Sequence, residues 1–506
     1  MSMPPFNITI AKHGRNLVNV KDFRMEENHI MFLFGESGIG KSLIAKAIYG
    51  LLSPEEFDIT INGESYDQYC KKSSTKEIQQ SSFFVFQEPS SHLNPLSTIG
   101  SQLNEGSLRN RLQQSNILQR LWETTDRNIM TKMLGIYPKP YRPSGGEKQR
   151  FLLAMAFLKI EMLLETMPEH IKTLFVFDEP SGSLDNHFRD VFLSLLFEKY
   201  QKRKFTVLLI THDYSVISVV RNAGLKILND ISYKELMLKH KELTLNDFKP
   251  EYYTNWLKRQ EESKLSSVPI RVTQPLLRVE SGIEVFGRRL VVMRDRTGGS
   301  SCPLEINPFT MVYLKAPSGV GKTSFAKSIM GLIRAQHLNI ALNGVSFTEE
   351  TPKRFWQTRV WGKQMAITFQ HADEALNQQS TVRGTLSGLP ANKSTAEDVD
   401  HMMRELFEGD INDRFLNTKV QYLSGGQKQK LNLLRSLVLD TDILILDEPL
   451  NGVDFENIMR VLSMLKQKQK SGKGILLISH NEEIFDAIVP EEYVYYLQAF
   501  QLASQQ

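Results

Sequence analysis

The chain has 506 residues and a formal net charge of +4, with 41% hydrophobic and 23% charged residues. These values are typical of a globular protein with two large domains or about three smaller ones. The small net charge gives no basis for a nucleic-acid partner, which needs a concentrated basic face. Cys70 and Cys302 are the only cysteines, which excludes a disulfide framework or a cysteine-rich metal cluster and fits a reducing compartment.

The hydropathy pattern contains neither a signal peptide nor a membrane helix. Residues 1–15 lack the apolar core of a secretory signal, and no apolar run reaches the roughly 18 residues that a membrane helix needs. The most apolar stretch, Phe151–Leu164, is interrupted by Lys159 and Glu161. We therefore expect a cytoplasmic protein that reaches a membrane only through partner proteins.

Four short motifs occur twice, in the same order and at a nearly constant separation. The pairs are GESGIGKS and APSGVGKT, PSGGEKQR and LSGGQKQK, LFVFDEP and ILILDEP, and THD and SHN. Since chance matches would not keep order and separation together, we infer an internal duplication. The predicted boundaries are a first copy over residues 1–245, a linker that could be helical over 246–267, and a second copy over 268–506.

Short continuous apolar runs accompany these motifs in each copy. HIMFLF and TMVYLK precede the glycine-rich segments, LFVF and ILIL precede the Asp-Glu-Pro triplets, and FTVLLITH and KGILLISH end at histidines. Such runs are typical of parallel strands that are buried on both faces. Between Gln87 and Ser144, and between Gln370 and Ser424, the pattern becomes helical and polar. The sequence therefore predicts an α/β core with an inserted helical subdomain in each copy.

Both glycine-rich segments end in Lys followed by Ser or Thr, between a strand and a helix. This is the P-loop arrangement, in which backbone N–H groups and a helix N-terminus surround the phosphates of a nucleotide. The lysine is expected to contact the outer phosphates, and the hydroxyl residue to bind Mg²⁺. The predicted ligands are Gly35, Gly38, Gly40, Lys41 and Ser42 in the first copy, and Gly319, Gly321, Lys322 and Thr323 in the second.

The second loop departs from the P-loop pattern, since Ala316 stands at the position of Gly35. If this position requires a positive φ, a Cβ atom there costs about 1–2 kcal/mol. The other glycines, the lysine and the threonine are kept. The alanine therefore leaves open whether the two loops bind ATP equally well.

Many families contain a P-loop, and the SGG triplets distinguish between them. Each SGG lies upstream of an apolar strand that ends in Asp-Glu-Pro. This arrangement closely resembles the ABC ATPase family, over nearly the whole chain. The resemblance implies two cassettes, each with a RecA-like α/β core, an antiparallel β part and an inserted helical subdomain. It also implies that the cassettes pair head-to-tail within one monomeric chain.

The resemblance implies catalytic and metal-binding roles for residues that occur in both copies. The glutamate after each Asp matches the general base, the glutamine matches the Q-loop, and the histidine matches the switch residue that contacts the γ-phosphate. These residues are Glu179, Gln87 and His212 in the first copy, and Glu448, Gln370 and His480 in the second. The implied Mg²⁺ ligands are Asp178, Ser42 and Gln87, and Asp447, Thr323 and Gln370.

In this family the SGG residues bind the ATP that the opposite cassette holds. They are Ser144, Gly145 and Gly146 in the first copy, and Ser424, Gly425, Gly426 and Gln427 in the second. The segments 183–185 and 452–454 match the D-loop, which couples the two sites. Phe286 is the predicted residue that stacks on adenine in the second copy, whereas only His13 lies near the matching position of the first, and no assignment is made there.

The Q-loop segments indicate what the ATPase drives. FQEPSSHLNPLSTIGSQLNE and FQHADEALNQQSTVRGTL are similar to the Q-loops of the paired ATPases of peptide, nickel and metal-opine importers. This implies a peripheral protein on the cytoplasmic face of the inner membrane, two integral membrane permease subunits at the Q-loops, and an extracytoplasmic substrate-binding protein. The chain lacks the cysteine cluster that such ATPases often carry near the C-terminus, which weakens the peptide-importer interpretation.

Two other classes of ABC protein remain as alternatives. A tandem ABC ATPase that acts on ribosomes usually has a long basic linker, whereas residues 246–267 are few and of mixed charge. An ABC protein of DNA repair would contain long coiled coils or zinc-binding cysteines, and the sequence has neither. We therefore predict an ATP-hydrolysing importer subunit with ATP and Mg²⁺ as cofactors, with the ribosomal factor as the main alternative.

Overall fold

A computed structural model describes residues 4–105, 110–126, 128, 131, 139–180, 186–224, 227–239, 242–265, 274–296, 299–317, 319–387, 389, 396–407 and 411–501. The chain divides into two units, Met1–Tyr253 and Thr254–Gln506. Within the described residues, none of the helices has both the length and the hydropathy to span a membrane.

The first unit is built on one ten-stranded sheet with the order β5-β4-β1-β2-β10-β9-β3-β8-β7-β6. Its strands are β1 (Phe6–Lys12), β2 (Arg15–Phe23), β3 (Ile30–Gly35), β4 (Asp58–Ile61), β5 (Glu64–Ser65), β6 (Phe84–Val85), β7 (Phe175–Asp178), β8 (Val207–Ile210), β9 (Ile231–Lys239) and β10 (Glu242–Asp247). Neighbouring strands in the series β3, β8, β7 and β6 pair parallel, whereas β1 pairs antiparallel with β2 and β4. The predicted parallel core and antiparallel part are therefore confirmed.

The described helices of the first unit cover the sheet and form part of the inserted segment. They are α1 (Lys41–Tyr49), α2 (Tyr66–Lys71), α3 (Ser73–Ser81), α4 (Ile99–Asn104), α5 (Arg111–Leu121), α6 (Gly145–Thr166), α7 (Asn186–Lys202) and α8 (Val216–Asn222). Strands β3, β7 and β8 are buried along their whole length, as continuous apolar runs predict for parallel strands with both faces covered. This buried core fixes the strand ends from which the motif residues project.

The helix α9 (Pro250–Leu265) begins in the first unit and ends in the second. Its first turn belongs to the first unit, where Tyr253 is fully buried and stacks against Tyr214 with 6.3 Å between ring centroids. Later in the helix, Trp256 packs edge-to-face on Phe455 at 5.4 Å. The predicted linker over 246–267 thus comprises the end of β10 and this packed helix, while residues 266 and 267 lie outside the described residues.

The second unit distributes its strands over two sheets, with the orders β14-β11-β16-β17 and β12-β13-β21-β15-β20-β19-β18. Its strands are β11 (Leu277–Val279), β12 (Ile283–Val285), β13 (Arg288–Met293), β14 (Leu304–Ile306), β15 (Met311–Lys315), β16 (Asn339–Leu342), β17 (Val345–Thr348), β18 (Met365–Thr368), β19 (Ile443–Asp447), β20 (Gly474–Ile478) and β21 (Val494–Gln501). The series β15, β20, β19 and β18 is parallel, which repeats the core of the first unit.

The remaining helices all lie in the second unit. They are α10 (Lys322–Ile329), α11 (Lys353–Phe355), α12 (Ala372–Ala375), α13 (Val382–Ser387), α14 (Ala396–Phe407), α15 (Asp413–Leu416), α16 (Gly425–Val438), α17 (Phe455–Lys470) and α18 (Glu482–Ile488). Helices α12 to α15 lie in the segment between Gln370 and Ser424, as predicted for the inserted subdomain. The helix α16 then leads back to the core and packs against β18 and β19.

Candidate nucleotide site

The first P-loop joins β3 to α1 and closes around a buried lysine. Lys41 is 5% exposed, and its Nζ donates hydrogen bonds to the carbonyls of Gly35 at 2.5 Å and Glu36 at 2.9 Å. Gly35 has φ 138°, and a Cβ atom there would lie 2.5 Å from the carbonyl oxygen of Leu236. Only glycine fits this position, because both the conformation and the neighbouring backbone exclude a side chain.

The second P-loop has the same backbone at the matched glycines. Gly38 and Gly319 have φ 80° and 77°, and Gly40 and Gly321 have φ 113° and 112°. The last pair also forms the N-cap of α1 and α10. The N-terminal N–H groups of both helices therefore face the loop in the way that favours phosphate binding.

Ala316 takes the place of the first glycine without the backbone strain that a positive φ would cause. The residue is not among those with positive φ, so the Cβ atom has no left-handed penalty. Its carbonyl accepts a hydrogen bond from Lys322 Nζ at 2.7 Å, as the carbonyl of Gly35 does from Lys41. The physical reason for expecting a weaker second loop is therefore absent.

In the second unit, the three predicted metal-binding side chains lie together. The hydroxyl of Thr323 donates to Asp447 Oδ2 at 2.6 Å and lies 3.3 Å from Gln370 Oε1. Burial raises the pKa of Asp447, and the hydrogen bond from Thr323 opposes this effect. Hydroxyl, carboxylate and amide oxygens are ligands that Mg²⁺ accepts. The residues present therefore fit a magnesium ion that is shared with nucleotide phosphates.

The first unit brings together only part of the matching set. Burial raises the pKa of Asp178 to about 6, against the hydrogen bond from Ser42 and the charges of Lys46 and Lys41. The Oδ1 atom of Asp178 is buried without a hydrogen-bond partner, and such an orphaned oxygen fits a cation ligand. Gln87, by contrast, is exposed beyond β6, and within the described residues no hydrogen bond joins it to Ser42.

Both glutamates follow the end of a buried strand and share an unusual backbone. Glu179 has φ 49° and Glu448 has φ 52°, a left-handed conformation that residues other than glycine seldom adopt. Their backbone N–H groups donate to Ile210 at 3.0 Å and to Ile478 at 2.8 Å on the neighbouring strand. The fold therefore aims both carboxylates away from the course of their strands, and such strain is concentrated at functional sites.

In the first unit, Glu179 is paired with His212, whose Nδ1 lies 2.8 Å from Oε2. Burial raises the pKa of Glu179, but the charge and hydrogen bond of His212 outweigh burial and leave the pKa below its ordinary value. Burial likewise lowers the pKa of His212, but Glu179 more than compensates and raises it. This unit therefore favours an ionised carboxylate beside a protonated imidazole.

The second unit holds its glutamate differently. Ser479 donates to Glu448 Oε2 at 2.7 Å, and the N–H of His480 donates to the same oxygen at 3.2 Å. The ring of His480 is 3.6 Å from Oε1 and instead accepts from Lys322 Nζ at 3.2 Å. Burial raises the pKa of Glu448 to about 7, against the hydrogen bond from Ser479. The same residue type thus meets two electrostatic environments in one chain.

The SGG triplets lie at the N-termini of α6 and α16. Ser144 and Ser424 are the N-caps, and each forms a reciprocal capping box with the residue three positions later. Ser424 donates its N–H to Gln427 Oε1 at 3.0 Å, and Gln427 returns its N–H to Ser424 Oγ at 3.2 Å. The predicted glycines thus occupy the first turn of a long helix, where N–H groups and the helix dipole favour an anion.

The predicted D-loops differ in what the structure describes. Residues 183–185 lie outside the described residues. In the second unit, Gly452 has φ 73°, and Asp454 is the N-cap of α17, where its side chain accepts from the N–H of Asn457 at 2.9 Å. The second D-loop is thus fixed at its C-terminal end by the helix that follows.

Phe286 projects from a tight turn beside the second P-loop. The residue is 82% exposed, and it precedes Gly287 between β12 and β13. Arg288 Nη1 donates to the carbonyl of Gly319 at 2.9 Å, which ties this turn to the P-loop. His13 occupies the matching turn of the first unit, with the same φ of 50°. Stacking on adenine remains a prediction for Phe286, and the turn geometry places His13 at the equivalent position.

Sequence reasoning missed two residues that contact the glutamate of the second unit. Ser479 precedes the predicted histidine, and Gln429 donates from α16 to the carbonyl of Glu448 at 3.1 Å. The repeated motif carried a signal for the second residue, because a glutamine follows at the same place in PSGGEKQR and LSGGQKQK. Ser479 had a weaker signal, since the first copy has Thr211, another hydroxyl residue, at this place.

The sequence also matches a known family. A family model described as ABC transporter matches residues 18–164 and 300–451, more than half of the chain. The protein therefore belongs to the ABC transporter family. Its two units are tandem ABC ATPase cassettes, which bind and hydrolyse ATP.

Its relatives are ATP-binding proteins of ABC transporters. The uncharacterised ABC transporter ATP-binding protein YejF of Escherichia coli K12 is 27% identical, over 94% of this chain and 89% of the relative. The glutathione import ATP-binding protein GsiA of Shigella boydii serotype 4 is 21% identical, over 98% of this chain and 85% of the relative. Both matches extend through the two cassettes.

Solved structures of other tandem proteins share the fold. An RNase-L inhibitor has a TM-score of 0.61 at 17% identity and covers 97% of this chain and 89% of its own. The archaeal ribosome recycling factor aABCE1, in complex with the stalk protein aP1, has a TM-score of 0.62 at 16% identity with the same coverage. At such low identity the likeness concerns the fold alone.

Proposed function

We propose that the protein is the energy-coupling ATPase of an ABC importer. The observation that carries this proposal is the position of Gln370, which lies within reach of the Thr323 hydroxyl in the nucleotide site and directly follows Phe369, which lines a surface groove. One short segment therefore contacts both the nucleotide site and a surface that a partner can occupy. The importer relative and the similarity of the Q-loop segments support the same function.

The groove beside Gln370 suits a side chain of a partner protein. It has a volume of about 190 Å³, which is below the roughly 300–1,000 Å³ of small-molecule pockets. Its lining is mainly apolar and includes Trp361, Phe369, Arg435 and Leu439. We assign it to a helix of a permease subunit, and a second permease subunit would meet the Q-loop of the first cassette.

The contacts within each cassette support the catalytic roles that we propose. Bound MgATP supplies the phosphoryl group and the metal charge that stabilises its transfer. Lys41 and Lys322 hold the outer phosphates, because each is already buried at the centre of its loop. Glu179 and Glu448 polarise the attacking water as general bases, and His212 and His480 contact the γ-phosphate. Each SGG helix contributes its N-terminus to the ATP of the opposite cassette in a head-to-tail pair.

In this proposal the protein lies on the cytoplasmic face of the cell membrane, bound to two permease subunits. An extracytoplasmic binding protein would deliver the substrate, which we place among peptides, nickel and metal-opine complexes. Glutathione, the substrate in the name of one relative, belongs to the peptide class. Closure of the cassettes on two ATP molecules would move the permease helices, and hydrolysis would reopen the pair.

The ribosomal alternative has weaker support. The likeness to aABCE1 concerns the fold alone, whereas the relatives that align over both cassettes are transporter ATPases. A gentle detergent purification of the tagged protein from its native cell separates the two functions. We expect two multispan membrane proteins, and ribosomal proteins without any membrane protein would contradict the importer function.

The groove gives this purification a matched control. Leu439→Glu places a charge in the groove, and we expect the permease subunits to be lost while ATP hydrolysis continues. Val345→Glu places the same charge on an exposed residue of β17, 50% exposed and outside the groove, and should keep the permease subunits. Equal recovery with both variants would show that the groove is not the docking site.

A further inference from the structure

Each SGG helix carries one buried glutamine at the same place after its serine cap. These are Gln149 in α6 and Gln429 in α16, and they are 2% and 5% exposed. The mechanism described above gives neither residue a role. A buried glutamine amide needs hydrogen-bond partners, since burial removes it from water. Its partners are therefore informative.

In the second unit this amide reaches the general base. Gln429 Nε2 donates to the carbonyl oxygen of Glu448 at 3.1 Å, in a buried contact. The same carbonyl accepts the N–H of Asn451 at 3.2 Å, and Asn451 directly precedes the D-loop segment 452–454. One carbonyl thus joins the SGG helix, the glutamate and the chain that leads into the D-loop.

In the first unit the matching amide has no such contact. Both Nε2 and Oε1 of Gln149 are buried, and neither has a hydrogen-bond partner among the described residues. Native structures contain few groups of this kind, and each one calls for an explanation. Among the described residues, the same glutamine is thus hydrogen-bonded in the second unit and unbonded in the first.

We propose that Gln429 and Gln149 are positioning residues that link the SGG end of each helix to the general base of the same cassette. This inference rests on the proposed role of Glu448 and Glu179 as bases. The left-handed backbone of Glu448 is unfavourable on its own, so hydrogen bonds from outside must hold it. Gln429 supplies one of them from a helix that starts at the nucleotide-binding triplet.

A helix transmits displacement along its axis because its internal hydrogen bonds keep it rigid. Gln429 lies five residues after Ser424, which is about 7.5 Å along the helix at 1.5 Å per residue. ATP that contacts Ser424 belongs, in the proposed pair, to the first cassette. A shift of α16 towards that ATP therefore changes the orientation of Glu448, which serves the other ATP. The glutamine provides a path by which one ATP controls hydrolysis of the second.

The test removes the amide and keeps its size, with Gln429→Met. Turnover by the second cassette is measured in a Glu179→Gln background, and turnover by the first in a Glu448→Gln background. In the Glu179→Gln background we expect kcat to fall about tenfold, the equivalent of one hydrogen bond, with the KM for ATP changed by less than about twofold. The fall in kcat should be several times smaller in the Glu448→Gln background.

Gln149→Met is the matching substitution in the first unit, and its effect on thermal stability should differ from that of Gln429→Met. Its kcat should fall in the Glu448→Gln background, because the working state forms the bond to Glu179. Its Tm should stay unchanged, because among the described residues its amide makes no hydrogen bond that the substitution would remove. Gln429→Met should lower the Tm. Ser463→Ala, at an exposed position of α17, controls for substitution on a neighbouring helix.

Two results would overturn the inference. One is an equal fall in kcat in both backgrounds for Gln429→Met, and the other is a rise in KM with kcat unchanged, since simple packing defects would give either result. The base assignment is checked separately with the Glu179→Gln, Glu448→Gln double variant. If that variant keeps wild-type turnover, the proposed bases are wrong, whatever the glutamine variants show.

Discussion

At the first position of the P-loop the two cassettes have different residues, yet both keep the hydrogen bond from the loop lysine to the carbonyl of this residue. Gly35 is confined by the carbonyl of Leu236, whereas Ala316 has a φ outside the left-handed region. Both carbonyls nevertheless receive the lysine of their loop. The two positions therefore carry different constraints, although the motif alone presents them as equivalent.

A pair of substitutions tests this difference. Gly35→Ala should destabilise the first cassette by about 1–3 kcal/mol, because a Cβ atom meets both a positive φ and a backbone oxygen. Ala316→Gly should leave the KM for ATP unchanged to within about twofold. Denaturant unfolding and ATP turnover of the two variants check the expectation. A marked gain of activity in Ala316→Gly would show that the alanine does impair its loop.

The hydroxyl of Thr323 provides a test of the proposed magnesium site. Thr323→Val keeps the shape of the side chain and removes the donor to Asp447, so it should abolish Mg²⁺-dependent ATP binding at the second site. In a Glu179→Gln, Glu448→Gln background, the rise in Tm with MgATP should be clearly smaller than in the parent. EDTA should remove most of the Mg²⁺-dependent rise in the parent. An unchanged rise in Thr323→Val would exclude this residue as a ligand.

At the residue scale, the sequence predicted which residues form the site better than it predicted the contacts that surround them. The repeated motifs pointed to Glu179 and Glu448 because an acid after a buried strand is visible in the letters. The partners of these acids were not visible, since they depend on the position of a histidine ring and on one hydroxyl from the next strand. Gln429 was overlooked because its contact joins two segments that are distant along the chain.

At the scale of elements, the strands that carry the site were predicted well. Continuous apolar runs at Ile30–Gly35, Phe175–Asp178 and Ile443–Asp447 are buried parallel strands, because burial on both faces leaves no place for polar residues. The polar helix α9 was harder to place. Its composition suggested a linker, but Trp256 packs on Phe455 and Lys264 Nζ donates to the carbonyl of Asp486 at 2.6 Å.

The contact of α9 leads to a prediction about stability. Trp256→Ala removes a half-buried ring and its edge-to-face pair with Phe455, and should lower the free energy of unfolding of the second unit by about 2 kcal/mol. Unfolding in denaturant, followed by a probe in each unit, should show the second transition at lower concentration and the first unchanged. Asn255→Ala, at an exposed position of the same helix, is the control. Equal midpoints for both variants would show that the helix does not stabilise the unit.

At the scale of the whole molecule, duplication was the decisive sequence feature, because it fixed the number of cassettes and the correspondence of their residues. The family match confirms the tandem ABC architecture. The division into Met1–Tyr253 and Thr254–Gln506 falls within the segment 246–267 that was predicted as a linker, but composition could not locate it more closely, since it lies inside a regular polar helix. Head-to-tail pairing remains a prediction, which turnover of each site can test.

Reciprocal substitutions of the SGG serines test this pairing. If each triplet serves the opposite ATP, Ser424→Arg should abolish the turnover that depends on Glu179, and Ser144→Arg the turnover that depends on Glu448. The charged side chain should block the helix N-terminus. Each substitution should therefore reduce turnover at the site that its triplet serves at least about tenfold more than turnover at the other site. Turnover in the Glu448→Gln background measures the site of Glu179, and turnover in the Glu179→Gln background measures the site of Glu448. The opposite pattern would indicate that each triplet serves its own cassette.

The connection through helix α9 also determines how the specific activity depends on protein concentration. The helix Pro250–Leu265 is part of the covalent connection between the cassettes. Each cassette therefore meets its partner at a local concentration that does not change when the protein is diluted. Short tethers keep linked partners at effective concentrations of about millimolar, far above those of an enzyme assay. Specific activity per chain should therefore stay constant from nanomolar to micromolar protein. Two separately expressed cassettes would lose activity over the same range as they dissociate.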